Sequence, residues 1–332
     1  MRSDAEALSA EVLRLEDPDA TVDAIAEGLR HEVAAFHRKG AVVALSGGID
    51  STVVASLAAR AFGPERVLGV LMPEADSSPD TLRLSRLAAD SLGIPTVLED
   101  ITPLLEAAGC YRRRDEAIRR VVPEYDASWK AKLVLPSVLE TDRYRLFSIV
   151  VEAPDGRRES ARLPPAEYLQ VVAATNFKQR SRKMMEYYHA DRLNYAVLGT
   201  PNRLEYDQGF FVKNGDGAAD VKPIAHLYKT QVYQLAGTLG VPDEIRTRPP
   251  TTDTYSMPQS QEEFYFSLPY DKMDLCLYAV NHGLSAETVA GALGLTPEQV
   301  ERVFRDIASK RRVGRYLHAA PRLLGAVEGA VR

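Results

Sequence analysis

Apolar residues follow two alternating rhythms along much of this chain. From Asp19 to Phe36 they recur every three or four positions (Val22, Ile25, Leu29, Val33, Phe36), the spacing of one helix face, with cap candidates at Asp17 to Thr21 and a stop at Gly40. Val42 to Leu45 is a short unbroken apolar run instead, the mark of a strand buried on both faces. A helix from Thr52 to Phe62 follows, then a strand from Arg66 to Pro73 and a helix from Ser78 to Leu92 opened by Ser-Pro-Asp. A strand from Ile94 to Leu98 and a short helix from Ile101 to Ala108 complete the series. Repeated strand–helix–strand units predict an α/β fold, a Rossmann-like parallel sheet with helices on both faces and ligands at the carboxyl ends of its strands. Residues 1 to 16 are polar and helical in pattern, a loosely attached lead-in.

The rhythm breaks between Cys110 and Leu163. Tyr111 to Arg120 is strongly basic through Arg112, Arg113, Arg114, Arg119 and Arg120, offering either a solvated face or contacts to phosphates or a partner subunit. Tyr144 to Glu152 and Arg157 to Leu163 flank Ala153-Pro154-Asp155-Gly156 and predict a β-hairpin. The helical pattern returns from Pro165 to Ala190, followed by a strand from Asn194 to Leu198. The glycine-rich, charged stretch from Pro201 to Pro223 lacks periodicity, which marks a functional loop. Tyr228 to Gly240 is helical, and Arg248 to Asp253 begins an irregular segment suited to an active-site lid. The tail predicts helices at Gln261 to His282, Ser285 to Leu293 and Pro297 to Lys310. The expected organisation is therefore 1–109 and 164–260 as one α/β domain, 110–163 as a hairpin-containing insertion, and 261–332 as a helical C-terminal region packed on the same domain.

Composition narrows the function classes. At 332 residues with a 45% hydrophobic share the chain can bury a substantial core, and 41 basic against 46 acidic residues make no general case for nucleic acid or membrane binding. No stretch approaches the roughly 18 apolar residues of a membrane span, and the N-terminus has no apolar signal region, so a cytoplasmic protein is expected. Cys110 and Cys276 lack metal-site spacing and suit buried positions. The last helices superficially resemble a helix-turn-helix, but Glu298, Gln299 and Glu301 at the start of the second would repel a phosphate backbone.

Chemistry concentrates at Ala41 to Thr52. The strand ends in Ser46-Gly47-Gly48-Ile49-Asp50-Ser51 and restarts as a helix, so backbone amides converge at a positive helix end that favours phosphate. Ser46 and Ser51 add hydroxyls, and Asp50 offers a carboxylate to a magnesium ion on those phosphates. The alternative is a tight turn with no ligand. No Gly-Lys-Ser/Thr follows, so this is not a Walker loop.

That signature resembles the ATP pyrophosphatases, which split ATP between the α- and β-phosphates. Further motifs in order make the chain similar to the ammonia-dependent NAD synthetase family from Ala41 to about Pro321: Asn176-Phe-Lys-Gln-Arg180-Ser-Arg182, Leu198-Gly-Thr200, Glu205, Gly209-Phe-Phe-Val-Lys213, Gly215-Asp-Gly-Ala-Ala-Asp220, Leu227-Tyr-Lys229 and Pro250-Thr251-Thr-Asp253. The resemblance implies that Ala44, Leu45, Ser46, Gly47, Gly48, Ile49, Asp50, Ser51, Thr200, Lys229 and Thr251 bind ATP, and that Asp50 and Glu205 hold Mg2+. It implies that Asn176, Arg180, Lys213, Asp220, Ser309 and Lys310 contact deamido-NAD, and that Asp50, Lys229 and Asp216 are catalytic. Asp216 would receive ammonia; its alternative is a structural aspartate in a Gly-Asp-Gly turn. The implied reaction is ATP-dependent amidation of deamido-NAD to NAD through an acyl-adenylate, releasing AMP and pyrophosphate, in a homodimer. Gln179, Lys183 and Ser309 depart from the family pattern. They leave open an adenylating, amide-forming ligase of the same fold acting on another carboxylate, beside a helix-turn-helix regulator.

Overall fold

The computed structural model describes residues 8–135, 137–139, 147–251, 254–325 and 327. Its first half alternates helix and strand: α1 (Pro18–Ala35), β1 (Ala41–Ala44), α2 (Ile49–Phe62), β2 (Val67–Leu71), α3 (Pro79–Leu92), β3 (Thr96–Leu98), α4 (Thr102–Ala107) and α5 (Cys110–Arg119). Strands β4 (Lys130–Val134), β5 (Ser148–Glu152) and β6 (Arg158–Arg162) follow, then the long α6 (Pro165–Leu193), β7 (Ala196–Leu198) and α7 (Arg203–Gln208). The rest is helical: α8 (Lys229–Thr238), α9 (Asp243–Arg246), α10 (Tyr270–His282), α11 (Ala286–Leu293) and α12 (Pro297–His318).

The main sheet is parallel, in the order β3-β2-β1-β7. Side chains of a strand alternate between faces, and here both faces are covered. Val43 packs with α1, α2, α3 and α8, whereas Val42 packs with α4, α5 and α6. The chain leaves β1 for β2 on one side and returns through α6 to β7 on the other. The order therefore reverses beside β1, which opens a crevice at the carboxyl ends of β1 and β7.

Strands β4, β5 and β6 form a separate antiparallel sheet with its own core around Trp129, Leu133, Ile149 and Val151. The expected hairpin is therefore present as β5–β6, with β4 as a third strand outside the hairpin pattern; Tyr144 lies outside the described residues. The basic stretch is α5, and its arginines are divided. Arg114 is buried between Asp76 and Asp115, while Arg112 and Arg120 form surface pairs with Glu116 and Glu167. None of the three lines the cavity described below.

Two tail boundaries differ from the periodicity. The helix expected from Gln261 splits at Ser267, whose φ of 63° cannot continue a right-handed turn, into a π-helical turn Glu262–Phe266 and α10. Helix α12 runs on to His318. The helix-turn-helix pattern buries Val289, Leu293, Val300, Val303 and Ile307 in one core with α10, so these helices form a packed helical layer. Among the described residues no helix is long and apolar enough to cross a membrane. Both cysteines are free and buried.

Asp274 on α10 fixes the start of α8. Its carboxylate accepts from the backbone amides of Lys229 (3.3 Å) and Thr230 (2.8 Å), two donors that a helix start leaves unpaired. Burial pushes its pKa up to about 6, although those amides pull the other way. An unfolded aspartate titrates at about 3.9, so the folded chain keeps this proton to higher pH. This group's stabilisation is thus full below about pH 4 and is lost as pH rises to about 6. Asp274→Asn is expected to flatten the stability–pH profile in that window, as read by urea unfolding; an unchanged slope would exclude Asp274 as its source.

Candidate functional site

The crevice is a cavity of about 450 Å3. Its floor is the turn between β1 and α2. Helix α2 begins at Ile49, earlier than the apolar pattern indicates, so Asp50 and Ser51 stand in its first turn. The turn is tied together locally. Ser51 Oγ donates to Gly48 O (3.0 Å), Ser46 N donates to Ser51 Oγ (3.3 Å), and the two serine hydroxyls lie 3.2 Å apart.

Gly47 is there for two reasons. Its φ is +72°, and an added Cβ would stand 2.7 Å from Leu84 Cβ and 3.0 Å from Thr81 O on α3. Gly47→Ala is expected to cost about 1–3 kcal/mol of stability by denaturant unfolding. A variant as stable as the parent would show that neither the positive φ nor the approach of α3 constrains this position.

Three ionisable side chains meet beside this turn. The Lys229 ammonium, 1% exposed at the start of α8, is ion-paired to Asp50 Oδ2, and Asn202 Nδ2 donates to Asp50 Oδ1 at 3.2 Å. Glu205 belongs to a capping box on α7: its carboxylate accepts from Asn202 N (3.1 Å) while the Asn202 side chain accepts from Glu205 N (3.3 Å). Gln261 Nε2 donates to the other Glu205 oxygen at 3.1 Å. Burial and the charge of Asp50 hold the Glu205 pKa above the usual carboxylate range, against the pull of Lys229 and the Asn202 amide. Burial works to lower the pKa of Lys229, yet Asp50 and Glu205 outweigh it and the net shift is upward. The rings of Tyr270 and Tyr233, with centroids 5.5 and 5.9 Å from Nζ, also face this cation.

A second group of ionisable side chains lines the cavity from α6 and the loop after α7. Lys183 and Glu186, both buried, pair at 2.7 Å. Asp216 Oδ1 accepts from Val212 N at 2.7 Å, so this residue both ties its turn and borders the cavity. Burial shifts the pKa of Asp216 and of Glu186 upward, opposed in each by Lys183.

The sequence-derived residues thus divide. Ala44 to Ser51, Asn176, Thr200, Glu205, Asp216, Lys229 and Thr251 all line the cavity. Arg180, Lys213, Asp220, Ser309 and Lys310 do not. Arg180 Nε donates to Lys213 O (3.2 Å), and Lys213 Nζ donates to the carbonyls of Tyr316 (2.8 Å) and Ala319 (2.9 Å) at the end of α12. Asp220 accepts from Tyr187 OH (3.1 Å) and Val197 N (2.8 Å). Lys310 is held by Tyr265 O (2.6 Å) and Asp306 (2.7 Å), and Ser309 is exposed. Thr252 and Asp253 of the expected lid lie outside the described residues. Motif reading passed over Asn202 and Gln261, and it passed over Leu133 and Phe147, which line the cavity from the second sheet without any sequence signal.

Similarity to known proteins agrees with this geometry. The family model for NAD synthase matches residues 21–123 and 147–313. The chain is 59% identical over 320 residues to the NH(3)-dependent NAD(+) synthetase of Rhizobium meliloti (strain 1021), covering 96% of each chain. In fold it resembles the NH3-dependent NAD synthetase from Campylobacter jejuni (TM-score 0.60, 21% identity, covering 93% of this chain and 100% of that one). It likewise resembles the NMN synthetase from Francisella tularensis (TM-score 0.60, 23% identity, covering 89% and 96%). A match over most of the length, with a phosphate-type turn at the sheet's switch point and acid and lysine side chains converging on it, has one reading: the chain belongs to the NAD synthase family.

Proposed function

We propose that this protein uses ATP and ammonia to convert deamido-NAD to NAD, releasing AMP and pyrophosphate. The observation that carries the reading is the meeting of Asp50, Glu205 and Lys229 beside the Ser46–Ser51 turn in a chain of this family. The substrate carboxylate attacks the α-phosphorus of ATP, pyrophosphate leaves, and the acyl-adenylate so formed is attacked by ammonia with AMP departing. Amides of the turn bind the phosphates, and Lys229 stabilises the charge that develops as pyrophosphate departs. Asp216 takes a proton from the incoming nitrogen. Positioning and electrostatics supply the rate, with no covalent intermediate on the protein.

Magnesium fits the donors present. Among the described residues no cluster of three or more His, Cys, Asp or Glu forms a self-sufficient metal site. Two carboxylates, Asp50 and Glu205, with one cation paired to Asp50 and a turn of phosphate-binding type alongside, suit a hard ion that arrives with the nucleotide and keeps phosphate and water oxygens. Bound there, the ion would neutralise phosphate charge. By family resemblance we further propose a cytoplasmic homodimer. The outward residues Arg180, Lys213 and Asp220 then form the part of the substrate site nearest the partner subunit.

The second reading, another carboxylate activated by the same chemistry, is favoured by one observation. Five of the six residues expected to contact the dinucleotide, all but Asn176, stand outside the cavity. One experiment separates the two. Purified protein with ATP, Mg2+ and ammonium is given deamido-NAD or nicotinate mononucleotide, and NAD or NMN, AMP and pyrophosphate are quantified. NAD formation is expected; turnover of the mononucleotide alone would replace the first reading with the second.

A further inference from the structure

Strand β4 lies within residues 124–146, which the family match omits. One edge of it pairs with β5. Its other edge meets the segment that follows Thr251. Met257 N donates to Ala131 O (3.2 Å), Ala131 N donates to Ser256 Oγ (2.9 Å), and Lys132 Nζ pairs with Glu263 (2.6 Å). The same segment is fastened from α6. Lys178, 1% exposed, directs its three donors to Glu74 Oε1 (2.9 Å), Asp76 Oδ2 (2.6 Å) and the carbonyl of Thr254 (2.8 Å). The two acids are held in turn: Tyr111 OH donates to Glu74 (2.7 Å), and Arg114 is paired to Asp76.

What these fastenings hold is a wall of the cavity. Thr254, Tyr255, Gln261 and Phe264 line it, and Gln261 reaches Glu205. A segment that must be ordered at binding draws on binding energy to do so, whereas one ordered beforehand does not. We propose that β4 and Lys178 form a brace that holds residues 254–264 against the nucleotide cavity before substrate arrives, with Lys178 and Ser256 as positioning residues for that site. The strand omitted by the family match is then part of the site's support. The proposal rests on the reading that the cavity takes ATP, but its structural half does not.

Two variants test it. Ser256→Ala removes the hydroxyl oxygen that Ala131 N donates to and leaves the ion network intact. Lys178→Met cuts the link to Thr254 but strands Glu74 and Asp76, so Ser256→Ala carries the test alone where Lys178→Met fails to fold. In the ligand-free protein, hydrogen exchange at the Met257 amide is expected to speed up about fivefold or more while exchange in α2 is unchanged. The KM for ATP is expected to rise about five- to tenfold with kcat nearly constant, the signature of lost uniform binding. Unchanged exchange at Met257 in Ser256→Ala overturns the brace. Faster exchange with an unaltered KM, or a fall in kcat with KM fixed, overturns its role in the nucleotide site. If the parent protein does not bind ATP, the functional reading fails while the exchange result still decides the brace.

Discussion

Lys229→Met is expected to lower kcat by about a thousandfold and also to destabilise the protein by about 3–5 kcal/mol in the absence of magnesium. The two losses have one origin. The Lys229 ammonium is buried, paired to Asp50, and close enough to Glu205 to oppose the rise in its pKa that burial and Asp50 cause. Methionine keeps much of the length and removes the cation, so the Asp50 carboxylate is left beside the buried Glu205 with no positive partner. Adding Mg2+ should restore part of the lost stability, because a divalent ion between those acids replaces the missing charge. Thermal unfolding with and without Mg2+, beside a pyrophosphate-release assay, reads both effects. A variant with parental stability and no response to Mg2+ would show that Lys229 does not balance the two acids.

Asp50→Ala supplies the contrast. Turnover should again fall about a thousandfold, since an oxygen donor and the partner that orients Lys229 are both lost. Stability should change by only about 1 kcal/mol, because one acid, Glu205, remains opposite one ammonium and Asn202 keeps its cap on α7. NAD formation and urea unfolding on the same preparation check the pair of outcomes. Retention of more than about a tenth of parental activity would remove Asp50 from the reaction. Two substitutions at the ends of one ion pair therefore give similar kinetics and different stability, a pattern that mere loss of a structural salt bridge would not produce.

The parts of this molecule that are legible in sequence are those whose physics is local. A doubly buried strand can only be apolar throughout, and the strand-to-helix turn at Ser46–Ser51 needs glycine where φ is positive, so β1 and α2 announce themselves. Capping signals likewise locate α1 at Asp17 and α3 at Ser78. What is not legible depends on partners distant in the chain. The four residues of Asn202-Arg-Leu-Glu205 look like loop, yet they form a capping box whose asparagine touches a residue 152 positions away. Strand β4 alternates Lys130, Lys132 and Val134 with Ala131 and Leu133, a weak pattern made firm by β5 and by the 254–264 segment. The split at Ser267 is set by backbone geometry that a serine does not advertise.

The double duty of Asn202 bears on how this enzyme can be engineered. Asparagine and aspartate rank as near equals at helix starts, so a stabilising screen would treat Asn202→Asp as a neutral cap exchange. Here the amide nitrogen of Asn202 is what faces Asp50. An aspartate would place a third acid beside Asp50 and Glu205, with Lys229 alone to offset them, and would turn a donor toward an acceptor into two acceptors face to face. A substitution that is harmless by the rules for helix ends is thus an inactivating one by the rules for charge, and libraries built on helix propensity should hold this position fixed.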